Sequence, residues 1–111
     1  SGAENALINK AASLVSKHLE SPLSAEDLAQ QLGVSREHMS RVFRQLLNMS
    51  PLHYIRQQKI DYACRLLEQT KLSIKEVAAR CGFSSDIVFN SSFKKEKNVT
   101  PGRYRRELFK H

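Results

Sequence analysis

Residues 51–69 read PLHYIRQQKIDYACRLLEQ. Pro51 follows Ser50, the favoured order of cap and first-turn proline, and Tyr54, Ile55, Ile60, Ala63, Cys64 and Leu67 recur at helical spacing as far as Thr70-Lys71. The reading is one uninterrupted helix. What stands before it is largely repeated after it. With residues 25–55 laid on 74–105, Ala29 meets Ala78, Gly33 meets Gly82 and Ser35 meets Ser84 at an offset of 49. With one extra residue in the second copy, Phe43 meets Phe93, Asn48 meets Asn98, Pro51 meets Pro101 and Tyr54 meets Tyr104. These matches fall at turn, cap or core positions, so one unit has been used twice around a central helix.

A chain of 111 residues supports one compact domain or two small lobes that draw on a shared element. Lobes of about 50 residues lie near the lower limit of independent stability, so the central helix must contribute core to both. The composition, 41% apolar and 26% charged, is that of a globular chain. No apolar run approaches the roughly 18 residues of a membrane span, and no signal-peptide pattern is present, so no membrane partner and a cytoplasmic location are expected. Cys64 and Cys81 sit within helical apolar patterns and read as buried, reduced thiols. His18, His38, His53 and His111 are scattered, without the spacing of a metal site, and no metal or cofactor is expected.

Charge is unevenly distributed. Residues 1–35 carry two lysines against four carboxylates, a net of −2, whereas residues 36–111 carry 16 basic groups against 7 acidic ones, a net of +9. A basic excess confined to two thirds of the chain suits a polyanionic partner, because neutralised phosphates release counterions.

Along the chain, Ser1-Gly2-Ala3 reads as a tag or linker remnant. A first helix is expected from about Glu4, with Ile8, Ala11, Ala12, Val15 and Leu19 facing inward up to the break at Ser21-Pro22. Ser24 and Ser73 each have an acidic residue three positions on and introduce short helices of about nine residues that end at Gly33 and Gly82. Serine-capped helices follow over Ser35–Leu47 and Ser85–Lys97. Met39, Val42, Phe43 and Leu46 form the inward stripe of the first, Phe89 and Phe93 that of the second, and Asn48 and Asn98 close them. A last helix from Pro101 to about Leu108 buries Tyr104 and Leu108 and leaves Arg103, Arg105 and Arg106 largely outside. The predicted class is all-α with about seven helices: a first lobe over 4–49, a linker helix over 50–70 and a second lobe over 71–111.

A short helix with alanine four before glycine, a tight turn, then a serine-capped second helix is the helix-turn-helix pattern, here present twice. Alanine permits close helix approach, and glycine takes the positive φ of the turn without steric penalty. The second helix of such a motif enters the major groove. A linker helix of about 18 residues spans roughly 27 Å at 1.5 Å per residue, while major-groove faces recur about every 34 Å, so one polypeptide can address adjacent groove segments. The plain alternative is a helical bundle in which alanine and glycine serve packing alone.

The chain resembles the DNA-binding domain of the AraC/XylS family of bacterial transcription regulators over residues 7–108. The resemblance rests on Leu28-Ala29 through Gly33-Val34-Ser35, Met39-Ser40-Arg41-Val42-Phe43, Ser50-Pro51 with Tyr54-Ile55, Ile74-Lys75-Glu76-Val77-Ala78, Cys81-Gly82-Phe83-Ser84, Phe89, Phe93-Lys94-Lys95, Val99-Thr100-Pro101 and Tyr104-Arg105. It implies a two-lobed domain that binds double-stranded promoter DNA in tandem major grooves and acts on RNA polymerase, most often as an activator. It further implies the carboxyl-terminal part of a longer regulator, with a separate sensor domain. The family's DNA contacts fall on Arg36, Glu37, Ser40, Arg41 and Arg44 in the first lobe, and on Asp86, Ile87, Asn90, Ser91 and Lys94 in the second.

Arg41 suits guanine and Asn90 adenine; Glu37 either accepts from cytosine N4 or serves the helix dipole, and Ile87 either meets a thymine methyl or packs against its own lobe. Arg44, Lys94, Lys95 and Arg103 suit phosphates. Ser91, Val88, Asn48 and Asn98 depart from the family's usual residues. Ser91 leaves the second reading helix with no basic residue before Lys94, so the first lobe is expected to supply more base specificity. No nucleophile, base and orienting acid recur at usable spacing and no phosphate-cradling glycine loop is present, so an enzyme is not expected. The competing non-enzymatic reading is a protein- or RNA-binding bundle. RNA modules usually offer stacking aromatics, whereas Phe43, Phe83, Phe89 and Phe93 lie on inward spacing.

Overall fold

In the computed structural model, which describes residues 1–109, the chain forms α1 (Gly2–Ser16), α2 (Ala25–Leu32), α3 (Arg36–Leu47), α4 (Pro51–Gln69), α5 (Ile74–Arg80), α6 (Asp86–Lys97) and α7 (Pro101–Leu108). No strand occurs among the described residues. The all-α expectation holds. Two compact units result, the first comprising 1–18 and 23–58, the second 19–22 and 59–109.

In the first unit, α1 begins earlier than expected. Ser1 caps it by accepting from the Glu4 backbone N–H while the Glu4 carboxylate returns to the Ser1 nitrogen, so Gly2 and Ala3 are helical. The helix also stops earlier, at Ser16, with Lys17 as its cap, well before Ser21-Pro22. Ser24 builds a capping box with Asp27, and α2 ends in Gly33 at φ +72°, the left-handed conformation glycine adopts without a Cβ penalty. The Val34 N–H then reaches back to the Ala29 carbonyl at 3.2 Å, closing the turn. Ser35 caps α3, and Asn48 ends it at φ +56°. Leu28, Met39, Val42 and Phe43 are fully buried, and the Phe43 ring meets Tyr54 of α4 edge-on at 5.7 Å. Leu46 corrects the expected inward stripe: it is 40% exposed, while Leu47 is half-buried. Leu46 keeps the helical period of Met39, Val42 and Phe43, but it lies in the last turn of α3, just before the Asn48 cap, where the packing ends.

The second unit repeats this frame. Ser73 and Glu76 form the capping box of α5, Gly82 turns at φ +74°, and the Phe83 N–H returns to the Ala78 carbonyl at 3.1 Å. Ser85 caps α6 and Asn98 ends it at φ +66°. Since Ser85, not Ser84, is the structural counterpart of Ser35, the extra residue of the second copy lies inside the turn. Phe93 meets Tyr104 edge-on at 5.5 Å, matching Phe43 and Tyr54, and the row continues through Phe89 to Phe83. Ile60, Ala63, Cys64 and Leu67 of α4 pack with Val77, Cys81, Phe89 and Phe93. Cys64 and Cys81 are buried free thiols, and burial pushes Cys81 up to about 11.

Two basic residues of this unit are structural. Lys59 is only 7% exposed, and its ammonium donates to the carbonyls of Leu19 at 3.2 Å, Ser21 at 2.7 Å and Cys81 at 3.0 Å. Burial lowers its pKa from the ordinary lysine value. Arg105 is half-buried, not outside: its guanidinium donates to the Leu67, Thr70 and Leu72 carbonyls at 3.2, 3.4 and 2.5 Å, closing the carboxyl end of α4. Leu108, expected inside, is 39% exposed near the end of α7.

Candidate nucleic-acid interface

In each unit the helix after the glycine turn is held by its serine cap, its left-handed asparagine and a buried phenylalanine, which together fix the side it turns outward. In the first unit that side carries Arg36, Glu37, Ser40, Arg41 and Arg44, which share one helical stripe. All are exposed except Ser40, which is half-buried. Arg36 makes an exposed ion pair with Glu26 of α2 at 3.2 Å, a bond worth little in solvent. Arg41 donates to Nδ1 of His38 at 2.9 Å. A guanidinium has only donors, so the ring nitrogen accepts in that bond. His38 was absent from the sequence-based site, although its spacing of three from Arg41 is the signal that places both on adjoining turns.

In the second unit the stripe is Asp86, Ile87, Asn90, Ser91 and Lys94. Asn90 is half-buried and donates one amide hydrogen to the Asp86 carbonyl at 2.7 Å; Ser91 donates to the Val88 carbonyl at 3.1 Å. Both bonds turn polar side chains onto their own helix. Ile87 is 79% exposed, so it does not pack against its own lobe. These five residues and Thr100 line a shallow hollow of about 350 Å³ whose accessible wall is mostly carbon. Thr100, the cap of α7, was not foreseen there, because its part is set by how α7 returns to α6. Lys95 is exposed on the next position of α6, outside that hollow's lining. Arg103 lies on α7, exposed, 3.7 Å from the Glu107 carboxylate and likewise outside the lining.

Among the described residues no three histidine, cysteine, aspartate or glutamate side chains converge as metal ligands, and no helix is long and apolar enough to cross a membrane.

A family model described as a helix-turn-helix domain matches residues 28–107. Over 100 residues the chain is 34% identical to the HTH-type transcriptional regulator ArgR of Pseudomonas aeruginosa, covering 90% of this chain and 30% of that protein. A solved structure of an AraC-type DNA-binding-domain transcriptional regulator from Chromobacterium violaceum superposes with a TM-score of 0.89 at 34% identity, covering 99% of this chain and 98% of that one. The chain belongs to the AraC/XylS family of helix-turn-helix DNA-binding domains. Within that family it is also 33% identical to the HTH-type transcriptional activator RhaR of Klebsiella pneumoniae, over 90% of this chain and 36% of the relative. The AdpA DNA-binding domain, solved in complex with a target DNA, matches with a TM-score of 0.85 at 32% identity and 90% coverage of both chains. This AraC/XylS-type chain thus spans about a third of the length of the curated relatives it matches. Those relatives are named as transcription regulators, not enzymes.

Proposed function

We propose that the chain binds double-stranded promoter DNA sequence-specifically in bacterial transcription regulation, with α3 and α6 each entering one segment of the major groove. The observation that carries this is the α3 face: three guanidiniums, Arg36, Arg41 and Arg44, stand exposed on one stripe of a helix whose opposite side is locked into a core. A guanidinium can bond guanine O6 and N7 together, and Arg41, hydrogen-bonded to the His38 ring, is assigned that contact. Arg36, Glu37 and Ser40 flank it. Asn90 retains one amide hydrogen and its carbonyl oxygen, the donor and acceptor an adenine needs. Arg44, Lys94, Lys95 and Arg103 meet phosphates and set register, and Asp86, Ile87 and Ser91 complete the second reader. The family match and the DNA-bound AdpA relative support the same reading.

In this proposal the domain is the carboxyl-terminal part of a longer cytoplasmic regulator whose separate sensor domain controls it, and it acts on RNA polymerase as an activator. The test is binding of the chain to duplexes enriched from a randomised pool, against scrambled duplexes, across a salt series. Enrichment of one sequence and a steep fall of log affinity with log salt are expected. Equal, shallow binding to all duplexes overturns the reading.

A further inference from the structure

The first reader is built around guanidinium groups and the second is not. On α6 the aligned positions offer a carboxylate, an isoleucine, an amide and a hydroxyl before the first ammonium at Lys94. The hydroxyl of Ser91 and one amide hydrogen of Asn90 are engaged within the helix. What remains presented is carbon: Ile87, 79% exposed on the first turn, with Val88, 44% exposed, beside it. One exposed aliphatic side chain on a surface is ordinary. Here Ile87 is instead part of a carbon-walled hollow, with Asp86, Lys94 and the Thr100 cap among its lining.

We infer that this hollow is a methyl-reading site: Ile87 seats the C5-methyl group of a thymine in the second groove segment, so α6 selects A·T pairs largely through apolar contact. The inference rests on the duplex-binding proposal and deepens it. The major groove exposes one apolar group, the thymine methyl, and apolar side chains read it by contact. Recognition helices address base edges through their N-terminal residues, and Ile87 is the second residue of α6. The amide hydrogen and carbonyl oxygen left on Asn90, one turn further along, match adenine N7 and N6, so the amide and the isoleucine point to the same class of base pair. Lys94, one turn beyond Asn90, supplies positive charge for the adjoining phosphate and offsets the Asp86 carboxylate at the other end of the hollow.

Replacing thymine by uracil removes the methyl and leaves every base-pairing and groove hydrogen bond in place. A duplex enriched by the chain from a randomised pool is therefore resynthesised with deoxyuridine at each thymine in turn, and its affinity is measured with the parent and with Ile87→Ala. The side chain is exposed, so the variant is expected to keep the parent's helical circular dichroism. At one or two thymines the parent should lose roughly fourfold in affinity, the worth of about one buried methyl-sized group. Ile87→Ala should bind the thymine duplex more weakly and be indifferent to uracil at those same positions. Enrichment of a duplex with no sensitivity to uracil, or with sensitivity that persists in Ile87→Ala, overturns this inference and leaves duplex binding standing. A pool from which nothing is enriched overturns both.

Discussion

The two units share a frame and differ in face. Capping boxes at Ser24 and Ser73, positive-φ glycines at 33 and 82, serine caps at 35 and 85, left-handed asparagines at 48 and 98, and the Phe43–Tyr54 and Phe93–Tyr104 ring pairs are the same devices used twice. On the outward stripes, by contrast, Arg36 stands opposite Asp86 in the alignment, Glu37 opposite Ile87, Arg41 opposite Ser91, and only Arg44 and Lys94 agree in charge. Positions that set backbone conformation or fill the core tolerate few residue types. Solvent-facing positions tolerate many, and there the copies have diverged. The units also differ below the surface, since among the described residues the second has a buried ammonium, Lys59, and a longer row of rings.

That buried ammonium gives the largest expected difference. Lys59→Met should destabilise the second unit by about 3 kcal/mol or more, because carbonyls of Leu19, Ser21 and Cys81 lose their donor inside the fold. Methyl resonances of Val77 broadening or shifting in denaturant well before those of Val42 would display it; simultaneous loss would show that the ammonium is dispensable.

The glycines sharpen the comparison. A Cβ at Gly33 meets nothing within 4 Å, whereas at Gly82 it would lie 3.0 Å from both Lys59 Nζ and the Ser21 carbonyl carbon. Gly33→Ala should lower stability by about 1 kcal/mol for its positive φ alone, and Gly82→Ala by roughly 2–3 kcal/mol. Equal values in chemical denaturation would mean that the Ser21 segment yields freely.

Alkali should act on the second unit first. Cys81 holds its proton up to about 11 in the fold, against 9.0 ordinarily. Between those values the folded state carries the extra proton, and stability falls as pH rises by about 3 kcal/mol in all. Tyr104, whose hydrogen bond to Glu68 raises its phenol, and the buried Cys64 thiol act in the same direction. Lys59, lowered by burial, opposes them, because its ammonium gives up its proton more readily in the fold. Cys81→Ala should flatten the pH profile of unfolding above 9; an unchanged profile would remove the thiol from the account.

On DNA, Arg41→Ala should weaken binding by about 1–3 kcal/mol and relax selectivity at one base pair. Lys94→Ala should weaken all duplexes alike, by less, and reduce the salt slope by about one contact. If both variants behave alike in a titration against selected and scrambled duplexes, the division between a base-reading Arg41 and a phosphate-bound Lys94 fails.

Much of this architecture was legible in the sequence, because caps, glycine turns and apolar periodicity are local signals. Leu46 and Leu108 were misplaced because a stripe near a helix end shifts with where packing stops. Lys59 and Arg105 were missed for a different reason: their polarity argues for the surface, while their partners, backbone carbonyls between 22 and 40 residues away, leave no mark on local pattern. A hint was present for Lys59, which falls on the four-residue spacing of Ile55, Ala63 and Leu67. The α3 and α6 faces were readable by elimination, as what the core stripe left over. The carbon-walled hollow at α6 was not, since Thr100 joins it from another helix.

Neither unit is a continuous stretch of chain. Residues 19–22 lie in the sequence between two helices of the first unit yet belong to the second, where they supply two of the acceptors around Lys59. A cut at any point of α4 would therefore part that ammonium from either the Leu19 and Ser21 carbonyls or the Cys81 carbonyl. What began as a tandem copy has become a pair that ordinary truncation cannot separate, and each reader has to be silenced by substitution on its own helix, with the chain kept whole.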